Sequence, residues 1–484
     1  MLDPSLFPQA INTILITQLD GLSDIMLGTM LLSGLHRRWP GAYIKMLVRP
    51  QMAAVSNILP KWVRVIPLSF DPREPVAGRE EMLAEQLRAI SEDCQADITL
   101  LAEFDRVWAS EILANMASSD LIVAFNGPSG MNPANRAVAD ALEVDMSEPW
   151  QRLAVYPHQP EIEKYRAMLE ALGLDPGAFL PGGFVLRTQD QNAADKIWAD
   201  TGLKGTETIL LFPGRGPDLS RTLVPAVWSR WAAHLSQRHS VLIVGSEIDK
   251  NAIDAIVAGD LPQQVKHIVL PNDQLGTLTA LIETASAFIG SDSGPMHIAA
   301  ALGRPTLGIF GGGDRGQRYL PIGRKAAAAR MPISCYGCDW DCPFDSRLCL
   351  SHMPIELLLA TAEEFVQRYR ATNTFHEAAA PDVYDLPAAA DLPVMMLGPI
   401  MRMHRSMHQF QKEVRDHQDF MARVNADRQG RVSEMGDALS SITNILSEMA
   451  RQNRTRDETI NQLKTAMSIF AQQNSAVQRT PRGT

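Results

Sequence analysis

The sequence predicts an α/β protein of two successive parallel-sheet units that face each other across a cleft, followed by a helical, coiled-coil extension. Three observations carry that expectation. Short apolar runs alternate with helix-patterned stretches up to about residue 370. The alternation is interrupted by a Pro/Gly-rich stretch at 176–183 and then resumes. Beyond residue 378 the text turns to Ala, Pro and Asp, and then to apolar residues at three-and-four spacing. Strands alternating with helices imply a parallel sheet covered on both faces.

Residues 13–17 (TILIT) read as a buried strand, 19–24 as a loop and 25–38 as an amphipathic helix. Further strands of the first unit are Tyr43–Val48, 97–101 and 120–125. The second unit has strands at Thr208–Phe212, 240–244, 266–269, 287–290 and Thr306–Phe310, with a helix at 225–237. Residues 354–370 read as a closing helix, expected to cross back to the first domain. The expected boundaries are a first domain over 1–175, a second over 176–372, a linker over 373–400 and a helical extension over 401–484. A ligand in such an architecture sits at the C-terminal ends of strands, in the cleft.

A chain of 484 residues accommodates two ordinary domains and an appendage. The net charge of −10 argues against a nucleic-acid partner, which calls for a basic footprint. No run of 18 apolar residues is present, so no span is predicted. The start, MLDPSLFPQA, lacks the basic region and apolar core of a signal peptide. A cytoplasmic location is expected, with peripheral association at the inner face of the inner membrane.

The segment 289–311, IGSDSGPMHIAAALGRPTLGIFG, is the most informative. A strand delivers Asp292, Ser293, Gly294 and Pro295, and a helix begins at once with Met296 and His297. Unpaired N–H groups at a helix start carry positive partial charge and suit a diphosphate. Gly294 would let the chain approach such an anion closely. His297 would point at the same phosphates. Ser or Asp before Gly-Pro is equally an ordinary cap and turn.

This block resembles the DSGPMHLAAALGKP segment of glycosyltransferase family 9, the heptosyltransferases. Two further segments are similar to that family. Residues 212–228, FPGRGPDLSRTLVPAVW, resemble a strand and loop in which a lysine meets the donor phosphates. Spacing to Trp228 puts Arg221 in that place, with Arg215 a second candidate. Residues 14–27, ILITQLDGLSDIML, resemble the family's first strand and loop, which implies that Asp24 is the general base. A lone Asp at a helix start is otherwise more often a cap. Gln18 replaces the usual arginine and Ser23 the usual glycine. Glu247 falls where the family places a carboxylate toward a nucleotide ribose. The resemblance covers about residues 12–370.

The resemblance implies a GT-B fold, two Rossmann-like domains, and inverting transfer of a sugar from a nucleotide-diphosphate donor without a required cofactor. The expected donor is ADP-heptose, and the expected acceptor a cell-surface glycan such as lipopolysaccharide core. Alternatives are a protein acceptor, as in autotransporter heptosyltransferases, and a non-catalytic donor-fold scaffold. By position alone, Glu103, Asp105, Arg106 and Trp108 are acceptor candidates. Cys335, Cys338, Cys342 and Cys349 lie close in sequence. Four such thiolates suit structural zinc or iron, and ordinary loop thiols are the alternative.

In the tail, Val432, Met435, Leu439, Ile442, Leu446 and Met449 form a seam that resumes at Ile460, Leu463, Met467 and Phe470. A 3.5-residue period sustained this long argues for a coiled coil and a homo-oligomer. Removing the chain after Arg370 is expected to lower the subunit number measured by light scattering, with donor binding preserved. Equal subunit numbers would exclude the tail as the oligomerisation element.

Overall fold

A computed structural model describes residues 1–147, 150–214, 221–259, 261–312, 318–333, 335–338, 340, 342, 347–371 and 381–387. The coiled-coil expectation and Arg215 lie outside them.

The first domain runs β1 (Thr13–Gln18), α1 (Leu22–Arg38), β2 (Tyr43–Val48), β3 (Val63–Pro67), α2 (Glu80–Ser91) and β4 (Ile98–Leu101). It continues with α3 (Trp108–Met116), β5 (Leu121–Phe125), α4 (Pro133–Ala141), β6 (Gln151–Leu153) and α5 (Glu161–Ala171). Its strands are ordered β3-β2-β1-β4-β5-β6, all parallel. The second domain begins with α6 (Thr188–Thr201), β7 (Thr208–Phe212), α7 (Pro225–Leu235), β8 (Ser240–Ser246), α8 (Lys250–Val257) and β9 (Val265–Leu270). There follow α9 (Leu275–Thr284), β10 (Ala287–Ser291), α10 (Gly294–Ala301), β11 (Thr306–Phe310), β12 (Ala326–Arg330), α11 (Leu348–Ser351), α12 (Ile355–Ala371) and β13 (Asp382–Asp385). Its order is β13-β12-β11-β10-β7-β8-β9, again parallel throughout. Among the described residues no helix is long and apolar enough to cross a membrane.

Central strands buried on both faces explain the unbroken apolar runs: β4, β5, β7, β10 and β11 are buried at every position. Strand order reverses between β1 and β4, and again between β7 and β10. Such switch points leave crevices at the carboxyl ends of the strands.

Three expectations need correction, and β12 carries no strand signal in the sequence. Helix α1 begins at Leu22, so Asp24 belongs to its first turn instead of ending a loop. The alanine run of β12 would favour a helix by propensity, yet it pairs with β11 and is buried; tertiary packing overrides the local preference. Residues 382–385, inside the expected linker, add β13 to the sheet beside β12, so a cut that isolates the tail must fall after residue 387. Helix α12 packs into the core of the second domain instead of crossing: Leu358, Phe365 and Val366 join Trp231 and Leu235 of α7.

The domains meet along a continuous apolar seam. Met26, Met30, Met296, Ile298 and Ala299 belong to one buried cluster, with α1 packed on α10. Gly182 N–H donates to Thr29 Oγ1 at 2.9 Å, Val185 N–H to Ile58 O at 2.8 Å, and Asn57 Nδ2 to Asp273 O at 2.9 Å. At the centre of the seam, a Cβ on Gly294 would stand 2.3 Å from Leu22 Cγ. The glycine is thus required by the facing domain. Gly294→Ala should destabilise the protein by about 1–3 kcal/mol through overpacking, read as a lower melting temperature. Adding Leu22→Ala should recover much of the loss, and failure of that rescue would mean the clash is not the cause.

Candidate active site in the interdomain cleft

A polar cavity of about 420 Å³ lies between the two switch points. From the first domain it is lined by Asp20, Gly21, Ser23 and Asp24 beyond β1, Phe104 and Asp105 beyond β4, and Arg73. From the second come Arg221 beyond β7, Asp292 beyond β10, and Arg318, Tyr319 and Trp340. Glu161, first residue of α5, completes the wall.

Asp24 is buried, and both its carboxyl oxygens are engaged. Oδ2 accepts from Gly21 N–H at 3.2 Å, so the side chain reaches back to the start of its own helix. Oδ1 accepts from the Tyr319 hydroxyl at 2.9 Å. Burial first, and the neighbouring Glu161 carboxylate next, push its pKa up to about 6, against the pull of Tyr319 and Arg318. A carboxyl so tuned is poised for proton transfer near neutrality. Beneath it, Gln18 Nε2 donates to Tyr165 Oη at 3.3 Å, and that hydroxyl donates to Asp24 O at 3.1 Å. Gln18 is therefore a neutral buried prop of the helix start.

Two neighbouring carboxylates are paired with cations, one of them across the domain boundary. Glu161 Oε2 accepts from Lys164 Nζ and Arg318 Nε, each at 2.8 Å. Lys164 is buried, and desolvation lowers its pKa despite Glu161. Asp20 Oδ1 accepts from Arg73 at 3.1 Å, while burial and then Asp24 raise its pKa.

On the second domain, Thr222 Oγ1 donates to Pro213 O at 2.9 Å and lies 2.6 Å from Ser291 Oγ, tying the loop after β7 to the end of β10. Arg221, next to Thr222, and Asp292, next to Ser291, both line the cavity. The Arg221 guanidinium lies 5.4 Å from the centre of the Trp340 ring, and Arg347 lies 5.0 Å from the same ring. Trp340 has φ 65°, a left-handed backbone that a bulky residue seldom adopts. Ser293 Oγ donates to Ser291 O and makes no side-chain cap for α10.

Several expected residues stand elsewhere. His297 is buried one turn into α10 and is not on the cavity wall. Glu247 is exposed beyond β8 and accepts from Asn272 N–H at 3.4 Å. Of the four acceptor candidates only Asp105 lines the cavity. Glu103 is wholly buried, accepting from Thr17 Oγ1 at 2.6 Å and Leu19 N–H at 2.7 Å. Arg106 is buried against Glu111 at 2.9 Å and donates to Gly127 O at 2.8 Å. Trp108 is buried, donates to Pro72 O at 2.8 Å and stacks on Phe70. These three hold the loops that shape the cleft.

The cysteine segment wraps the Gly312 peptide. Gly312 N–H donates to Cys349 Sγ at 3.1 Å, and Cys338 Sγ lies 3.7 Å from Gly312 O. Burial raises the Cys338 thiol and pushes Cys349 up to about 12. Among the described residues no group of three or more His, Cys, Asp or Glu side chains is arranged to hold a metal ion. The expectation of zinc or iron at Cys335, Cys338, Cys342 and Cys349 therefore has no geometric support here.

Sequence reasoning missed Glu161, Arg318 and Tyr319. Glu161 reads as an ordinary acid of a first helical turn. Arg318 and Tyr319 follow a glycine-rich loop with no periodic signal of their own.

Residues 141–342 match glycosyltransferase family 9 (heptosyltransferase). Lipooligosaccharide heptosyltransferase 2 of Campylobacter jejuni is 25% identical over 166 residues, which are 34% of this chain and 52% of that protein. The chain thus aligns with about half the length of that curated relative. The crystal structure of the glycosyl transferase family 9 from Veillonella parvula is 17% identical, with a TM-score of 0.59, covering 75% of this chain and 99% of the other. E. coli ADP-heptose lps heptosyltransferase II is 18% identical, with a TM-score of 0.52, covering 74% and 99%. The chain is similar in sequence to family 9 over the matched residues, and it has the two-domain GT-B fold of these solved structures.

Glu103→Ala should destabilise the protein by about 1–3 kcal/mol, because the buried Leu19 N–H and Thr17 hydroxyl lose their acceptor. Chemical denaturation measures this, and unchanged stability would return Glu103 to the list of ligand-facing candidates.

Proposed function

We propose that this glycosyltransferase family 9-like chain is an inverting glycosyltransferase that moves heptose from ADP-heptose to a hydroxyl of a cell-surface glycan such as lipopolysaccharide core. The observation that carries the reading is Asp24, a carboxyl pushed up to about 6, set at one switch point and facing Arg221 at the other across one polar cavity.

The chemistry follows from that placement. The acceptor oxygen bonds to the anomeric carbon as the bond from that carbon to the diphosphate breaks. Asp24 takes the hydroxyl proton, and the electron pair leaves on the diphosphate. Charge then grows on the leaving group, where Arg221 and the start of α10 at Ser293 and Gly294 would stabilise it. Arginine keeps the positive charge and adds a planar fork for phosphate oxygens. Asp292 would orient the donor from the same wall, and Asp105 the acceptor from the other. His297 would act from behind the wall by supporting α10. A homo-oligomer built through the C-terminal helix belongs to the same reading.

Asp24→Asn is expected to lower turnover by roughly two to four decades, with ADP affinity by calorimetry within about twofold of the parent. Because the base works ionised, kcat/KM of the parent should fall as pH drops through about 6 and level off above it. ADP release from ADP-heptose, with lipopolysaccharide core in one arm and an autotransporter protein in the other, measures both effects and separates the acceptor classes. Near-normal transfer by Asp24→Asn would sink the assignment.

A further inference from the structure

We propose that Tyr319 is a positioning residue for Asp24: carried by the second domain, its hydroxyl orients the carboxyl of the first, so that the base is assembled across the domain boundary. The inference rests on the reading of Asp24 as the base, and goes beyond it in assigning what sets that base.

The geometry is a two-point lock followed by a reach. Glu161 N–H donates to Arg318 O at 2.9 Å, and Arg318 Nε donates back to Glu161 Oε2 at 2.8 Å. Backbone and side chain of Arg318 are thus both fixed to the start of α5. The next residue, Tyr319, places its hydroxyl 2.9 Å from Asp24 Oδ1. With Gly21 N–H on Oδ2, each oxygen is held by one donor. A carboxylate has about four acceptor positions, so acceptor capacity is left for an incoming hydroxyl.

The groups facing Asp24 come from several elements. Asp20 lies on the loop before α1; Glu161 and Tyr165 come from α5; Arg318 and Tyr319 come from the second domain. Glu161 disfavours the ionised carboxyl, while Arg318 and Tyr319 favour it. Burial and the nearby carboxylates raise the Tyr319 phenol, which keeps it a hydrogen-bond donor at neutral pH. Removing the Tyr319 hydroxyl must therefore raise the proton affinity of Asp24 and free one of its oxygens.

The test uses the full chain labelled with aspartate carrying 13C at the carboxyl, the Asp24 signal being assigned by its loss in Asp24→Asn. Tyr319→Phe should move the Asp24 titration midpoint upward by roughly one pH unit. Arg318→Gln should move it in the same direction, so the proposal survives the loss of either variant to misfolding. In transfer assays with ADP-heptose, Tyr319→Phe should lower kcat by roughly twofold at pH 7 and by roughly tenfold near pH 5, leave the donor KM within about twofold, and regain most of the loss at higher pH. A midpoint unmoved in folded Tyr319→Phe would overturn the proposal even if Asp24→Asn is inactive. Full activity in Asp24→Asn would instead remove the reading beneath it, whatever the titration shows.

Discussion

Four carboxyl groups crowd one end of the cleft, and the surrounding structure is organised by the need to hold them there. Asp20, Asp24, Glu103 and Glu161 would repel one another if all were ionised and unpaired, and burial adds to the penalty. Each is answered differently. Glu103 accepts from a hydroxyl and a backbone N–H, Asp20 from Arg73, and Glu161 from two cations, of which only Lys164 is local. Asp24 has donors at both oxygens but no direct cation, and its pKa is pushed up to about 6. A buried ion pair such as Arg318–Glu161 adds little net stability, since desolvation offsets attraction. Its contribution is to location.

Asp24 also shows why capping and catalysis need not be competing readings. One oxygen closes the first turn of α1 while the other faces the cleft. The capping bond limits rotation of the side chain, so the oxygen toward the cavity has a defined direction. The cysteine segment acts at a distance in a comparable way. Cys338 and Cys349 bracket the Gly312 peptide, and a side chain on Gly311 would collide with the Trp340 ring, so the segment and the indole are closely fitted. Trp340 in turn lies under Arg221. The thiols thus bear on the donor wall through packing.

The architecture was readable because central parallel strands must be apolar on both faces; runs such as TILLF in β7 and TLGIF in β11 stand out. The edges were harder. Strand β13 is a four-residue segment bracketed by aspartates, and β12 is mostly alanine, so neither shows the β-branched signature of a strand. Asp24, Arg221 and Asp292 could be picked out because each lies in a segment that resembles family 9, and each of those segments follows a strand at a switch point. Glu161, Arg318 and Tyr319 could not, since their meaning arises only when residues 157 positions apart in sequence are brought together. Glu103, Arg106 and Trp108 were misplaced for the converse reason. Position after a strand identifies the rim of a cleft, but whether a side chain there turns outward or inward depends on partners that the local text does not reveal.

The close fit of Gly294 against Leu22 bears on how such a chain can change over generations. Two-domain enzymes are often pictured as modules, one for each substrate, free to be exchanged. Here the glycine of one half is fitted against a leucine of the other, and Asp24 of one half is held by a tyrosine from its neighbour. A recombinant that joined this first domain to a foreign second one would inherit a mismatched seam and an unsupported acid at once. The halves are thereby tied into a single unit of inheritance.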